Sequence, residues 1–312
     1  MRDSQTATVV IVAFVAVLVG LGCGSERTSF PPEQAPSPPE RSSSSPMVVA
    51  AGDIADCRGE GDEATARLVS DTHATVLTLG DNAYPDGSAE DFEECYDSTW
   101  GRFKDRTKPS PGNHDYHTER AEGYFEYFVK AAGDPDKGYY SYELGNWHLV
   151  SLNSNCEEVG CGASSPQVRW LKADLAAADK RCTMAYMHHP RFSSGVKHGS
   201  TYYVKPLWEV LHEAEADVVL SAHEHNYERF APQNPDGKAD PERGIRQFVV
   251  GTGGGKGTYP ILPILGLIAN SEVHDDGTYG VLKLTLRPES YEWRFVPAEG
   301  GEFTDSGNAR CH

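Results

Sequence analysis

Thr75-Val76-Leu77-Thr78-Leu79 runs straight into Gly80-Asp81-Asn82-Ala83-Tyr84. The first five residues are β-branched or Leu, which predicts a short strand buried on both faces. Gly80 ends it, and a carboxylate follows at once. The same signature recurs along the chain. Asp53 follows Val48-Val49-Ala50-Ala51-Gly52. His188 follows Met184-Ala185-Tyr186-Met187, and His223 follows Val218-Val219-Leu220-Ser221-Ala222. In open α/β sheets, ligands gather beyond the carboxyl ends of strands. Four separate strands can therefore deliver four polar side chains to one crevice.

Working outward, buried strands are predicted at residues 47–51, 75–79, 182–187 and 217–220, with later strands at 244–251, 280–286 and 291–296. Residues 139–144 and 147–152 flank Gly145-Asn146 and read as a hairpin. Amphipathic stretches at 61–70, 88–98, 118–131, 166–178 and 202–214 predict helices. Ser165 before Pro166 is a helix start. The fold class is mixed α/β, without a strict βαβ repeat or any internal repeat. Tyr124, Phe125, Tyr127 and Phe128, at helical spacing, read as core packing rather than a substrate platform.

Any one strand-end residue has a plain explanation as a turn former, a helix cap or a surface histidine. Together, Asp53, Asp81, Tyr84, Asn113, His188, His223 and His225 form a hard-to-borderline oxygen and nitrogen donor set, too large for one metal and suited to two. Asn113 and His114 sit in a Pro111-Gly112 turn. Asp115 is a candidate to orient a histidine, while Asp56 reads rather as a turn residue. Gly251-Thr252-Gly253-Gly254-Gly255-Lys256-Gly257-Thr258 resembles a phosphate loop but fails its spacing: Val250 stands where Gly is needed and Gly257 where Ser or Thr is needed. It reads as a turn after a strand that could border the site.

The 312 residues carry 28 Lys+Arg against 46 Asp+Glu, a net charge of −18. Such a chain lacks the broad basic surface needed to neutralise long nucleic acids. With 38% hydrophobic and 10% aromatic residues it is not a disordered acidic tail. The 13 apolar or Gly residues from Val9 to Leu21 are too few for a membrane span, which takes about 18 or more, and fit the core of a secretory signal. Residues 1–22 are therefore expected to be a signal peptide. Gly20-Leu21-Gly22-Cys23 resembles a lipoprotein box with Cys23 lipidated; the alternative is an ordinary signal with Cys23 near its end. Residues 23–46, rich in Ser and Pro, read as a solvated tether, and 47–312 as the catalytic domain. Export to a periplasmic or cell-surface position makes disulfides possible. The six remaining cysteines allow 15 pairings; the favoured one is Cys57–Cys95, Cys156–Cys161 and Cys182–Cys311, against metal binding, for which no CxxC spacing exists.

The motifs now form a series. Asp53-Ile54-Ala55, Gly80-Asp81-Asn82-Ala83-Tyr84, Gly112-Asn113-His114-Asp115, Ala185-Tyr186-Met187-His188 and Ala222-His223-Glu224-His225, the last leading to Tyr227-Glu228-Arg229, stand in order between residues 47 and 231. In order and spacing the chain resembles the metallophosphoesterases, in the branch of the purple acid phosphatases and their small bacterial form. It departs at Ala55 and Ala222, where Gly is usual, and at Ala185, where Val is. None is a ligand in that family. Without a His at position 55, Tyr84 is left to complete the first metal's ligands.

The resemblance implies a four-layer α/β/β/α sandwich of two mixed sheets flanked by helices. It implies one metal on Asp53, Asp81, Tyr84 and His225 and another on Asp81, Asn113, His188 and His223. Fe(III) is expected at the Tyr84 site and Zn(II), Mn(II) or Fe(II) at the other. His114 is expected to act on a phosphoryl oxygen or the leaving group. His198 is a candidate substrate or acid histidine, or else an exposed loop residue. Arg191 either contacts phosphate or is simply solvated. The expected activity is hydrolysis of small phosphomonoesters by water activated between the metals. Phosphodiesterase or nucleotidase activity is the alternative, and a metal- or phosphate-binding surface lipoprotein without turnover is another. No nucleic-acid partner is expected, and membrane contact only through a signal or lipid anchor.

Overall fold

The computed structural model describes residues 11–14, 16, 20, 45–262, 264 and 266–312. The signal-peptide and lipoprotein-box readings, and the tether up to residue 44, lie largely outside the described residues. The chain divides into two units, Met1–Ser43 and Ser44–His312, and the second carries every element below.

Its strands in chain order are β1 (Met47–Ala51), β2 (Ala55–Asp56), β3 (Thr75–Leu79), β4 (Ala83–Tyr84), β5 (Thr107–Ser110), β6 (Tyr140–Leu144), β7 (Trp147–Ser151), β8 (Cys182–Tyr186), β9 (Val218–Ser221), β10 (Tyr227–Phe230), β11 (Arg246–Val250), β12 (Ser271–Asp275), β13 (Gly280–Arg287), β14 (Ser290–Pro297) and β15 (Ser306–Arg310). The helices are α1 (Gly61–Ser70), α2 (Ala89–Asp91), α3 (Glu122–Phe128), α4 (Cys156–Val159), α5 (Pro166–Ala177) and α6 (Lys205–Glu213).

The strands form two large mixed sheets. The first has the order β15-β14-β13-β1-β3-β5, the second β12-β10-β11-β9-β8-β7-β6, and β2 with β4 makes a small third pair. Strand alternation assigns the faces. Met184, Tyr186, Val218, Leu220, Phe248 and Val250 join the core shared with Val48, Ala50, Leu77 and Leu282 of the first sheet. Their neighbours Ala185, Val219 and Val249 turn the other way and pack with Val168 and Leu171 of α5 and Leu207, Trp208 and Leu211 of α6. With α1 and the turn Trp100–Arg106 on the outer side of the first sheet, this is the expected four-layer sandwich.

The helices form for readable reasons. Ser165 accepts from the Val168 amide at 3.2 Å and Pro166 opens α5. On α6, Leu207, Trp208, Val210 and Leu211 make one buried stripe. Residues 88–98, expected as one helix, start with a Ser88–Asp91 capping box and then widen into a π turn at Phe92–Tyr96. The aromatic cluster is core, as read: Tyr124 and Phe128 are buried against each other, and Phe128 packs edge-on to Phe92 and Tyr96. All three expected disulfides are present, Cys57–Cys95, Cys156–Cys161 and Cys182–Cys311. No described helix is long and apolar enough to cross a membrane.

Parallel pairing sets where the strand ends fall. Ala51 pairs with Thr78 and Leu79 with Ser110, so Asp53, Asp81 and the Pro111–Asn113 turn leave the first sheet along one edge. Tyr186 pairs with Leu220 and Ser221 with Val249, so His188, His223 and the loop after Val250 leave the second sheet likewise. Hydrogen bonds close the two edges together: Gly52 N to Val250 O at 2.9 Å, and Ser110 Oγ to Leu152 O at 3.0 Å.

Candidate metal centre

The closure demands small residues. A Cβ on Gly80, whose φ is +83°, would stand 2.7 Å from the His188 ring. Ala222, one of the family departures, places its methyl where only Gly52 leaves room. Asp53 (φ 58°), Asp81 (φ 50°) and His223 (φ 70°) all occupy the left-handed region that side chains rarely adopt. Each such residue costs of order 1–3 kcal/mol, and such outliers gather at functional sites.

Asp81 sits at the middle, fully buried, and its two oxygens face different neighbours. Oδ2 lies 3.1 Å from the Tyr84 hydroxyl, which also stands 2.8 Å from Asp53 Oδ1 and 3.2 Å from His225 Nε2. Oδ1 lies 3.4 Å from His188 Nε2, which is 3.1 Å from both Asn113 Oδ1 and His223 Nδ1. The seven expected ligands thus fall into two groups that share Asp81. Backbone amides hold both carboxylates: His114 N donates to Asp81 Oδ1 at 2.8 Å and His223 N to Asp53 Oδ2 at 2.9 Å.

The donor chemistry fits cations. His188 Nδ1–H donates to the Leu79 carbonyl and His225 Nδ1–H to the Gly257 carbonyl, both at 2.8 Å. In the neutral tautomers this leaves the His188 Nε2 lone pair facing the Asp81 carboxylate and Asn113 amide oxygens, lone pair against lone pair, and the His225 Nε2 lone pair facing Asp53 Oδ1 and the Tyr84 hydroxyl. Burial raises the Tyr84 phenol, Asp53 and Asp81 raise it further, and it stands well above its ordinary value. A phenolate there requires a positive charge beside it. Burial would lower His188, yet Asp81 outweighs it and lifts the imidazole to about 9. Its neighbour His223 is depressed to about 3, by burial and then by His188 and His198. The carboxylates draw in positive charge, and the arrangement leaves little room for it to be carried by several protons at once.

His114 lies beside this centre, half-buried, with Nδ1 2.5 Å from the Pro85 carbonyl and Nε2 3.9 Å from Asp81 Oδ2. Burial lowers its imidazole; Asp81 and the Pro85 carbonyl oppose this without cancelling it. His198 is exposed on the loop after β8, its ring centroid 4.1 Å from that of His223. Buried Glu224 holds that loop by accepting from the His198 and Gly199 amides. Arg191 is not brought to the centre. It is buried, donates to the Pro235 carbonyl at 3.0 Å, and stacks over Phe192 and Tyr202. Its guanidinium packs the loop, while its Nε has no partner among the described residues.

Asp115 orients no histidine either. It accepts from Gly112 N at 2.7 Å and Asn82 Nδ2 at 2.9 Å, fixing the turn that carries Asn113. Asp56 pairs with Arg58 at 2.7 Å.

Residues 46–227 match the profile of the calcineurin-like phosphoesterases. The chain belongs to that family. Among relatives, it is 28% identical over 166 residues to purple acid phosphatase 23 of Arabidopsis thaliana, covering 47% of this chain and 36% of that protein. It is 35% identical over 123 residues to purple acid phosphatase 21 of the same plant, covering 38% and 27%. Acid phosphatase type 7 of Homo sapiens is 26% identical over 223 residues, covering 60% and 48%. The matches thus span between about a quarter and a half of these relatives' lengths. The fold of purple acid phosphatase PPD1 from yellow lupin superposes over 86% of this chain and 54% of that one, with a TM-score of 0.69 at 18% identity. GAP50 of Plasmodium, described as the anchor in the inner membrane complex, covers 86% and 90% with a TM-score of 0.66 at 15% identity.

Three residues beside the centre are not among the expected site residues; of these the sequence gives only His189 a part, orienting the loop before Pro190. The His189 ring stands 4.4 Å from that of His223, and its Nδ1 lies 2.8 Å from Ser154 Oγ. Tyr259 stacks on His225 at 4.0 Å. Lys256, inside the rejected phosphate loop, reaches His114 with Nζ at 3.2 Å from Nε2. The loop's glycine run was visible; its lysine had no partner in the sequence to give it meaning.

Proposed function

We propose that this chain is an exported, metal-dependent phosphatase that hydrolyses small phosphomonoesters. The observation that carries the reading is the division of Asp81 between two donor groups: one oxygen faces Tyr84, whose hydroxyl also meets Asp53 and His225, and the other faces His188, whose Nε2 also meets Asn113 and His223. Each group with Asp81 would hold one metal. The phenolate and carboxylates of the first suit a trivalent iron, and the imidazoles and amide of the second a divalent Zn, Mn or Fe. When bound, two such ions supply an activated water and a clamp on the phosphoryl oxygens.

The remaining chemistry belongs to the chain. His114 stands beside Asp81 with its Nδ1 at the Pro85 carbonyl and its Nε2 beside Lys256 Nζ, the nitrogen from which it would act on a phosphoryl oxygen or the leaving group. His198 stands at the rim next to His223 and is the candidate to pass a proton to the departing alcohol. Glu224 acts through it, holding the loop backbone. Asp115, fully buried and raised to about 7 by burial and then by Asp81, fixes the turn that presents Asn113 and His114. Export fits the three disulfides and the apolar segment at 9–21, with Cys23 as the proposed lipid anchor.

The test is a parallel assay of purified, metal-loaded protein on a phosphomonoester and a phosphodiester. Monoester turnover that is lost on chelation and exceeds diester turnover is expected. A preference for the diester replaces the reading by that of a phosphodiesterase. Turnover of neither, under any metal loading, leaves a metal-binding surface protein.

A further inference from the structure

Lys256 is held in place by the metal centre itself. Gly255 N donates to the Asp53 carbonyl at 2.8 Å, and the Gly257 carbonyl accepts from His225 Nδ1 at 2.8 Å. The lysine is therefore pinned on both sides by residues of the first donor group. Its own φ is +52°, in the left-handed region. In the run Gly253-Gly254-Gly255-Lys256-Gly257 it is the one residue that pays for a side chain there. Gly255 cannot carry a Cβ, which would collide with the Tyr84 ring, so the loop lies flat against that tyrosine.

The side chain turns inward. Nζ stands 4.3 Å from the Tyr84 ring centroid and 3.2 and 3.3 Å from the two nitrogens of His114. Among the described residues its ammonium has no carboxylate partner within salt-bridge distance. Arg58, lining the same cavity of about 700 Å³, is by contrast paired with Asp56. Lys197, on the His198 loop, is exposed and reaches only the Tyr259 ring, at 5.6 Å. Lys256 is thus an unspent positive charge, half-buried, placed beside the histidine assigned to the phosphoryl group.

The two candidate substrate classes differ by one charge. A phosphomonoester loses its second proton near pH 6 and is largely a dianion at neutral pH, whereas a diester is a monoanion. A fixed ammonium favours the ion with the extra charged oxygen, and a charge-assisted hydrogen bond is among the strong ones. We propose that Lys256 is a substrate-binding residue that selects phosphomonoesters over phosphodiesters, its ammonium and the His114 imidazole together receiving the anionic oxygen that a diester carries as an ester. This rests on the phosphoesterase reading of the same centre.

The experiment compares wild type, Lys256→Gln and Lys256→Arg, each with its metal content measured, on para-nitrophenyl phosphate and its bis-ester, with inorganic phosphate as competitor. For Lys256→Gln the monoester kcat/KM should fall about tenfold or more, chiefly through KM, and the phosphate inhibition constant should rise in parallel, while the diester changes about twofold or less. Lys256→Arg should recover most of the monoester preference. An equal loss on both esters, or no loss, with metal content intact overturns the proposal and leaves the phosphatase reading standing. If Lys256→Gln fails to fold, unaltered phosphate inhibition by a tenfold less active Lys256→Arg overturns it as well. A wild type that turns over neither ester overturns the phosphoesterase reading and this proposal with it.

Discussion

His114 shows how much one residue's place in the chain can say. It stands next to Asn113, its backbone amide holds Asp81, and its Nε2 lies 3.2 Å from Lys256 Nζ and 3.9 Å from Asp81 Oδ2. Replacing it with Ala should therefore lower kcat on a phosphomonoester by about 10²–10⁴-fold, the range for one positioned acid–base group, with metal content unchanged. Steady-state kinetics with metal analysis checks this; unchanged turnover removes His114 from the mechanism. Of the seven expected donors, Asp53, Asp81, His188 and His223 follow apolar runs plain in the sequence and Asn113 a Pro-Gly turn, while Tyr84 and His225 stand out only in the series of motifs. Lys256 and Tyr259 do not stand out, since only the fold brings their loop onto Asp53 and His225. The sequence near His188 likewise gives no sign of the Pro235 carbonyl to which Arg191 donates. A second histidine gives a pH test far from the centre. Burial alone would depress His148, but Asp174 and Glu143, each 2.8 Å away, outweigh it and raise it above its ordinary value. A raised folded-state value contributes stability that is full below the unfolded value near 6.5 and is lost as pH rises through the folded one. The gap in melting temperature between wild type and His148→Gln should therefore narrow as pH rises above about 6.5. A gap that widens contradicts the assignment.

Elements were legible in proportion to their burial. β1, β3 and α1 match the expected boundaries because both strands are hidden on two sides and α1 has clean periodicity. Besides the two-residue strands β2 and β4, four strands are not legible in the sequence. β5 is Thr-Lys-Pro-Ser, with a proline and a lysine, yet pairs in parallel with β3 along one edge. β12 and β15 are edge strands with little apolar content, and β10 was absorbed into the Tyr227-Glu228-Arg229 motif. Edge strands need only one partner and one buried face, so their sequences carry a weak signal. α6 illustrates the opposite case. Trp208 is fully buried, edge-on to Phe192, in the layer between α6 and the second sheet. Trp208→Ala should cost about 3–5 kcal/mol in a denaturant titration, the range for deleting a large core aromatic. A loss below about 1 kcal/mol would mean that this layer is not a packed core.

At the scale of the whole molecule, two sheets pack face to face and the disulfides hold the periphery. Cys182–Cys311 links β8 to the residue after β15 across a separation of 129 residues; Cys57–Cys95 spans 38 and Cys156–Cys161 only 5. Chain entropy then ranks their contributions at about 5, 4 and 2 kcal/mol. Paired Cys→Ser variants, compared by chemical denaturation, should fall in that order; a largest loss at Cys156–Cys161 contradicts it. The net charge of −18 also reads differently at this scale. It disfavours a long polyanion on the outside, while the acids that matter, Asp53 and Asp81, are buried where they demand cations.

That demand is the centre of the account: one carboxylate, Asp81, serving two donor groups. Elemental analysis of the purified, catalytically active protein beside its Asp81→Ala variant measures it directly. The account predicts about two metal ions per chain in the wild type and loss from both sites in the variant. A single metal in active wild type, or two metals retained without Asp81, would contradict it.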